Sequence, residues 1–170
     1  GGVDVVIDAS NALPADPDAD VVEALRGGAT EHLIAAVQES GGCSTWCTCR
    51  SAGSARRPST ASPYYLAKRA QEQALKDSSL PHTIVRSAQW MEFAMNPAAV
   101  TEHEDRIEVQ DWLIQPIAVQ TVAEVLVECA EAAVADPVSA NDPLTARDRQ
   151  IAGPEPIRLP ELTALRLEAV

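Results

Sequence analysis

Short apolar runs alternate with helical segments along this chain, and this alternation constrains the fold more than any other feature. The first run, residues 3–7, is mostly apolar and ends in Asp-Ala-Ser, as a buried parallel strand often does. Residues 20–40 then carry apolar side chains at three-four spacing, which predicts a helix that Asp20 can cap. Because strands that alternate with helices form a parallel sheet with helices on its faces, the sequence predicts an α/β fold.

The remainder of the chain continues the alternation. Pro63 fits the first turn of a helix that has Ser62 as its cap and ends near Asp77. A capping box, Thr121 to Glu124, predicts the start of a later helix. The other predicted elements are a strand at 83–85, a short helix at 88–95, extended segments at 106–109 and 113–119, a strand near 150 and a last helix from 159.

Length and charge limit the kind of protein. With 170 residues, 46% of them apolar, the chain is long enough for a single domain, 1–170, with a sizeable core. The net charge of −12 disfavours nucleic acid and anionic membrane surfaces as partners. No run approaches the ~18 apolar residues of a membrane helix, and no basic-then-apolar segment opens the chain. We therefore expect a cytoplasmic protein.

The four cysteines do not form a familiar metal-binding pattern. Cys43, Cys47 and Cys49 have C-x3-C-x-C spacing, and Cys129 lies far along the chain. This spacing is not that of a usual zinc site, and no histidine lies nearby to complete one. Disulfides would require export, for which no signal is present. We expect neither a metal nor a disulfide.

Tyr64 and Lys68 form the main candidate for chemistry. They are four residues apart on a predicted helix, so their side chains share one face. A nearby cation favours a phenolate, and such a pair suits proton transfer to or from an alcohol or carbonyl oxygen. The spacing has a simpler explanation too, a surface helix on which Lys68 pairs with Glu72.

The surroundings of this pair resemble a known family. In chain order they read G-V-D-V-V-I-D-A-S (2–10), S-P-Y-Y-L-A-K-R-A-Q-E (62–72), H-T-I-V-R-S-A-Q-W (82–90), Q-P-I-A-V (115–119) and I-A-G-P-E-P-I-R-L (151–159). This order is similar to the NmrA-like, atypical branch of the short-chain dehydrogenase/reductase family. The resemblance implies a Rossmann-like, doubly wound parallel sheet that binds NAD or NADP and transfers hydride to or from a small-molecule substrate. The cofactor supplies the hydride chemistry.

The resemblance also implies roles for individual residues. Tyr64 would exchange a proton with the substrate oxygen, and Lys68 would hold the nicotinamide ribose and lower the pKa of Tyr64. The resemblance also implies Ser87 at the cofactor, and Gln89 and Trp90 at the substrate. Asp8, Ala9 and Ser10 are cofactor candidates for another reason, because they end a strand where open α/β sheets bind ligands, and the alternative is an ordinary turn. Arg86 either belongs to the same segment of the site or makes a surface ion pair.

The phosphate-binding loop of such folds is missing from the sequence. No G-x-x-G-x-x-G or G-x-G-x-x-G occurs, although this loop normally holds the pyrophosphate at a helix N-terminus. We therefore expect a partial domain that lacks the glycine-loop half and contains only the start of the substrate-binding part. We also expect weak or no NAD(P) binding. The alternatives to an oxidoreductase are a non-catalytic redox sensor and an inactive, truncated remnant.

Residues 42–60 are unexpectedly polar for their place in the chain. A central strand belongs here, yet Cys, Ser, Thr and Arg dominate, which predicts the least regular part of the fold. Read one base out of frame, the permitted codons include V-x-H-V-V-Y-L-S-I, an apolar strand followed by a serine. We hypothesise two compensating frame errors, which resequencing of the gene tests. The family's catalytic serine would then fall near Arg50, and Ser51 would point to the other face of the strand.

Overall fold

The computed structural model describes residues 3–10, 19–43, 45–52, 63–136 and 148–169. A 3₁₀ helix at Met91–Met95 follows the third strand. The strands and helices are β1 (Val5–Asp8), α1 (Ala19–Glu39), β2 (Thr45–Ser51), α2 (Pro63–Asp77), β3 (His82–Ser87), β4 (Val100–Glu102), β5 (Ile107–Val109), β6 (Leu113–Ile114), α3 (Val119–Ala135), β7 (Arg149–Ile151), β8 (Ile157–Arg158) and α4 (Leu159–Glu168).

A four-stranded sheet forms the centre of the described structure, in the order β1-β2-β3-β7. Every pair of neighbours is parallel, with Asp8 beside Thr48 and Arg50 beside Arg86. Parallel strands need crossover connections, and helices lie between β1 and β2 and between β2 and β3. The predicted α/β fold with a parallel sheet is confirmed.

Helices cover the sheet on both faces, because alternate residues of each strand point in opposite directions. Trp46 and Ile84 point to one face, where they pack with Leu75 of α2. Cys47 and Val85 point to the other face, where they pack against α3. Trp46, Cys47, Ile84 and Val85 are all fully buried. The result is a three-layer arrangement in which β2 is covered on both sides.

The predicted irregularity of residues 42–60 is wrong for the part that the structure describes. Thr45–Ser51 forms a regular central strand that pairs in parallel with both β1 and β3. Its backbone groups are satisfied by this pairing whatever the side chains are. Threonine and cysteine are small enough to be buried on both faces, and the charge of Arg50 is matched by Asp8. Residues 53–60 lie outside the described residues, and the frame hypothesis concerns the gene and stays a hypothesis.

The helix ends agree with the sequence at one position and differ at another. At the end of α1, Gly41 and Gly42 have positive φ angles of 104° and 87°. The backbone N–H of Gly42 donates to the carbonyl of Val37, and that of Gly41 donates to the carbonyl of Gln38, as is common for glycines that end a helix. The capping box expected at Thr121 is not used, since α3 begins at Val119 after Ala118, without a side-chain cap. Ser62 lies outside the described residues.

Short antiparallel pairs, β4 with β5 and β6 with β8, surround a third apolar cluster. Leu159 at the start of α4 is fully buried in it, beside Ala99 and Ile114. The hydroxyl of Thr163 donates to the carbonyl of Ala94 at 2.7 Å, which ties α4 to the 3₁₀ helix. Within the described ranges, no helix is both long and apolar enough to cross a membrane.

Gly153 lies where two backbone segments come close together. A Cβ at this position would overlap the carbonyl oxygen of Pro116. The side chain of Gln115 donates to the carbonyl of Gly153 at 2.6 Å, so the two segments also share a hydrogen bond. We expect Gly153→Ala to lower the free energy of unfolding by about 1–3 kcal/mol, because backbone must move to admit the methyl group. Urea denaturation measures this change.

Gly28→Ala is the matched control. Gly28 lies inside α1, and a Cβ there would meet nothing within 4 Å. Replacing glycine by alanine in an open helix interior should raise the free energy of unfolding by about 0.5–1 kcal/mol. Equal effects of the two substitutions would contradict the close approach at Gly153.

Candidate active site

Helix α2 brings Tyr64 and Lys68 together beside the carboxyl ends of the strands. The Lys68 ammonium lies 5.7 Å from the centre of the Tyr64 ring. Lys68 is buried, and Tyr64 is half-buried. The predicted proximity of these two side chains is therefore present, and the carboxyl edge of a parallel sheet is where open α/β folds bind ligands.

Lys68 is anchored to the segment that follows β1. Its Nζ donates a hydrogen bond to the backbone carbonyl of Ser10 at 3.2 Å. The alternative pairing with Glu72 is not formed, because the Glu72 carboxylate lies 2.7 Å from the guanidinium of Arg86. Among the described residues, no carboxylate forms an ion pair with Lys68. A buried ammonium is thus held mainly by a neutral acceptor.

Asp8 is surrounded by donors from its own segment and from β2. Its Oδ1 accepts hydrogen bonds from the backbone N–H of Ser10 at 3.0 Å and from the Ser10 hydroxyl at 2.6 Å. Its Oδ2 lies 2.8 Å from the guanidinium of Arg50. The Thr48 hydroxyl donates to the backbone carbonyl of Asp8 at 3.0 Å. Both carboxylate oxygens are engaged by the protein, so the implied role of Asp8 at a cofactor stays a prediction.

Arg50 forms a buried ion pair with Asp8 at the candidate site, and the sequence did not predict this pair. Its side chain has no exposed surface, and that of Asp8 is 3% exposed. Besides Asp8, the guanidinium donates to the carbonyl of Cys49 at 2.8 Å, while its Nε has no hydrogen-bond partner in the part of the chain that the structure describes. The available signal was an acidic residue ending one parallel strand and a basic residue ending the next. Such ends meet at one edge of a sheet.

The environment of Lys68 favours the uncharged amine. Burial, and then the positive charge of Arg50, lower the pKa of Lys68 from 10.5 to about 8. The charges of Asp8 and Cys49 act in the opposite direction and are outweighed. The pKa of Asp8 itself is lowered, since the Ser10 and Arg50 contacts overcome its burial.

The environment of Tyr64 favours the protonated phenol. Burial raises the pKa of Tyr64 above its ordinary value of 10, and the neighbouring Tyr65 adds to this increase. Arg50 opposes the increase without cancelling it. The lowering of the Tyr64 pKa by Lys68, which the resemblance implied, is therefore not found. At neutral pH the proton resides on Tyr64, and the group that titrates nearer neutrality is Lys68.

Ser87 and Trp90 lie together at the end of β3. The indole N–H of Trp90 donates to the Ser87 hydroxyl at 3.0 Å, and the Cys49 thiol lies 3.8 Å from that hydroxyl. Ser87 is buried, whereas Trp90 is half-buried. The backbone carbonyl of the half-buried Gln89 accepts a hydrogen bond from the backbone N–H of Ile117. The implied cofactor and substrate roles of these residues remain predictions.

Arg86 is part of a buried ion network, so the alternative of a surface ion pair is wrong. Its guanidinium lies 2.7 Å from Glu72 and 2.8 Å from Asp148. These contacts join β3, α2 and the residue before β7. Of the implied residues that follow β1, Ala9 and Ser10 are exposed. In the described part of the chain, no group of three or more His, Cys, Asp or Glu residues could hold a metal ion.

Solved structures with the same fold come from the epimerase group. A UDP-galactose 4-epimerase is 17% identical, with a TM-score of 0.67 over 97% of this chain and 61% of that chain. A putative NAD-dependent epimerase/dehydratase from Bacillus halodurans is 18% identical, with a TM-score of 0.57 over 95% of this chain and 69% of that chain. The epimerase Mth375 from Methanothermobacter thermautotrophicus is 12% identical, with a TM-score of 0.57 over 98% and 56%.

These identities establish a shared fold and no more. The chain spans 61% of the length of the first of these proteins. No curated protein sequence matches it significantly. The model of the NAD(P)H-binding family, by contrast, matches residues 1–133, which is most of the chain. This chain therefore belongs to the NAD(P)H-binding family.

Proposed function

We propose that this chain takes part in the NAD(P)-dependent reduction of a carbonyl group on a small molecule, with its described residues holding the nicotinamide side of the cofactor. The observation that carries the proposal is the position of Tyr64 and Lys68 beside the carboxyl ends of a parallel sheet. Membership of the NAD(P)H-binding family supports it. With a net charge of −12, neither nucleic acid nor an anionic membrane is the expected partner.

The residues present suit the ribose and nicotinamide half of a dinucleotide. The ammonium of Lys68 has three donors, and among the described residues one hydrogen bond, to the Ser10 carbonyl, occupies them. Ribose hydroxyls would be suitable acceptors for the others. Exposed Ala9 and Ser10 border the same edge. A nicotinamide cofactor held there supplies the hydride chemistry. The sequence contains no glycine-rich loop for the pyrophosphate.

Tyr64 is proposed to act as the acid. Because its pKa is raised, the phenol retains its proton throughout the neutral range and can donate it to an oxygen on which negative charge develops. This protonation state favours reduction of a carbonyl over oxidation of an alcohol.

Arg50 supports a second candidate function, dinucleotide binding without catalysis. The resemblance expects a serine near this position to assist at the substrate oxygen. A buried arginine paired with Asp8 cannot present a hydroxyl there. A non-catalytic redox sensor, or an inactive remnant, is compatible with this replacement. Binding and turnover must therefore be measured separately.

We expect nicotinamide mononucleotide, in its reduced form, to bind the 170-residue chain within about 10-fold of the affinity of NADPH, because the chain encodes no pyrophosphate loop. Lys68→Ala should weaken both ligands by about 10–100-fold, the effect of one charge-assisted hydrogen bond. Affinity should also fall as the pH rises through about 8, where Lys68 loses its charge. Isothermal titration calorimetry measures all three effects.

Lys76→Ala is the control, because Lys76 lies on the same helix and pairs with Asp148 at 3.7 Å, away from the candidate site. It should leave the affinity unchanged. Micromolar NADPH binding that is lost in Lys68→Ala, together with no binding of the mononucleotide, would show that another segment holds the phosphates. No binding of either ligand would refute the proposed function.

Tyr64→Phe separates the two candidate functions. If Tyr64 is the acid, the substitution should reduce NADPH-dependent reduction of a small carbonyl substrate by about 10²–10⁴-fold and leave NADPH affinity intact. Tyr65→Phe is the matched control, because Tyr65 contacts Tyr64 edge to face with ring centres 5.2 Å apart. Absence of turnover in the unmodified chain, with binding retained, would favour the non-catalytic candidate.

A further inference from the structure

We infer that Lys68 is a nucleophilic amine, able to form an imine with a small aldehyde or ketone when no nucleotide is bound. This is a second activity of the same edge of the sheet and does not depend on hydride transfer. It rests on the contacts of three buried residues: Asp8 pairs with Arg50, and Lys68 donates to the Ser10 carbonyl.

The carboxylate that could neutralise Lys68 is committed elsewhere. Asp8 accepts two hydrogen bonds from Ser10 and pairs with Arg50 at 2.8 Å. Lys68 is left with the Ser10 carbonyl as its hydrogen-bond acceptor at 3.2 Å. A carbonyl oxygen holds an ammonium less strongly than a carboxylate does. Within the described ranges, Lys68 therefore lacks the ion pair that keeps most buried lysines protonated.

A second cation acts on the same amine. The guanidinium of Arg50 is fully buried, and its positive charge disfavours a second cation at Lys68. Desolvation next to a cation is a recognised way to activate a lysine for attack on carbonyl compounds. Burial and Arg50 bring the pKa of Lys68 to about 8, so roughly one molecule in ten carries the free amine at pH 7. The titratable groups that act on Lys68 are Arg50, Asp8 and Cys49.

The reaction needs no oxidant or reductant. The Nζ lone pair of Lys68 attacks the carbonyl carbon, a C–N bond forms, and the carbonyl oxygen becomes a hydroxyl group. That hydroxyl leaves as water, with one proton taken from the acid and the amine proton released, and a C=N bond results. Tyr64, whose ring lies 5.7 Å from Nζ, is a protonated acid beside the reacting amine.

The chain itself contains an internal control, because Lys76 is its one other lysine. Lys76 lies on the same helix, its side chain is 38% exposed, and it lies 3.7 Å from the carboxylate of Asp148. If access alone decided the reaction, Lys76 would react faster than the buried Lys68. If the fraction of unprotonated amine decides the reaction, Lys68 reacts faster than Lys76.

The test treats the full chain, without nucleotide, with limiting acetaldehyde and cyanoborohydride, which converts each imine into a stable N-ethyl amine. Peptide mapping by mass spectrometry then separates Lys68, Lys76 and the N-terminal amine. At pH 7 we expect at least ~10-fold more modification at Lys68 than at Lys76, given the larger share of free amine. The excess should shrink above pH 9, as ordinary lysines lose their protons too.

Two further measurements keep the inference falsifiable. Lys68→Arg should abolish the modification of the α2 peptide at that position and leave Lys76 unchanged. For the chain without substitutions, the circular dichroism spectra before and after labelling should be the same. This result would show that the folded protein reacted. More modification at Lys76 than at Lys68 at pH 7, or no modification of Lys68 in the folded chain, would overturn the inference. Failure of both NADPH and reduced nicotinamide mononucleotide to bind would refute the proposed function and leave this inference standing.

Discussion

The buried ion pair between Asp8 and Arg50 is the interaction on which the candidate site depends. Removing one member of such a pair typically costs about 3–5 kcal/mol, because the remaining charge is left uncompensated. The pair joins the carboxyl ends of β1 and β2. By engaging Asp8, it also sets the turn at Ser10, to which Lys68 donates its hydrogen bond. One ion pair therefore fixes the sheet edge, the segment that follows β1 and the surroundings of the amine.

The pKa shifts of Tyr64 and Lys68 differ from those that the family resemblance implied. Where Lys68 was expected to lower the pKa of Tyr64, burial raises the pKa of the phenol instead. Burial, and then the positive charge of Arg50, lower the pKa of Lys68 to about 8, and the charge of Asp8 opposes them only in part. The ring centre of the protonated Tyr64 phenol therefore lies 5.7 Å from an amine whose pKa is about 8. This combination suits proton donation to a carbonyl oxygen and also nucleophilic attack on a carbonyl carbon.

The sequence predicted the parallel α/β fold and the proximity of Tyr64 and Lys68, because alternating periodicity and i, i+4 spacing are local signals. It did not predict the central strand at Thr45–Ser51, since polar composition was weighed above the pairing that two neighbouring strands impose. Nor did it predict the Asp8–Arg50 pair, whose members are 42 residues apart. Contacts of this kind depend on strand order and register, which local patterns do not contain.

Titration of Lys68 is the most direct test of whether burial and Arg50 lower the pKa of this amine. With side-chain-labelled lysine, NMR follows both lysines of the chain, and Lys76 serves as the reference. We predict a pKa of about 8 for Lys68 in the chain without substitutions. In Arg50→Ser the pKa of Lys68 should be higher by at least ~1 unit, because the substitution removes a cation and frees the Asp8 carboxylate. An ordinary value near 10.5 in the unmodified chain, or a value that Arg50→Ser leaves unchanged, would contradict it.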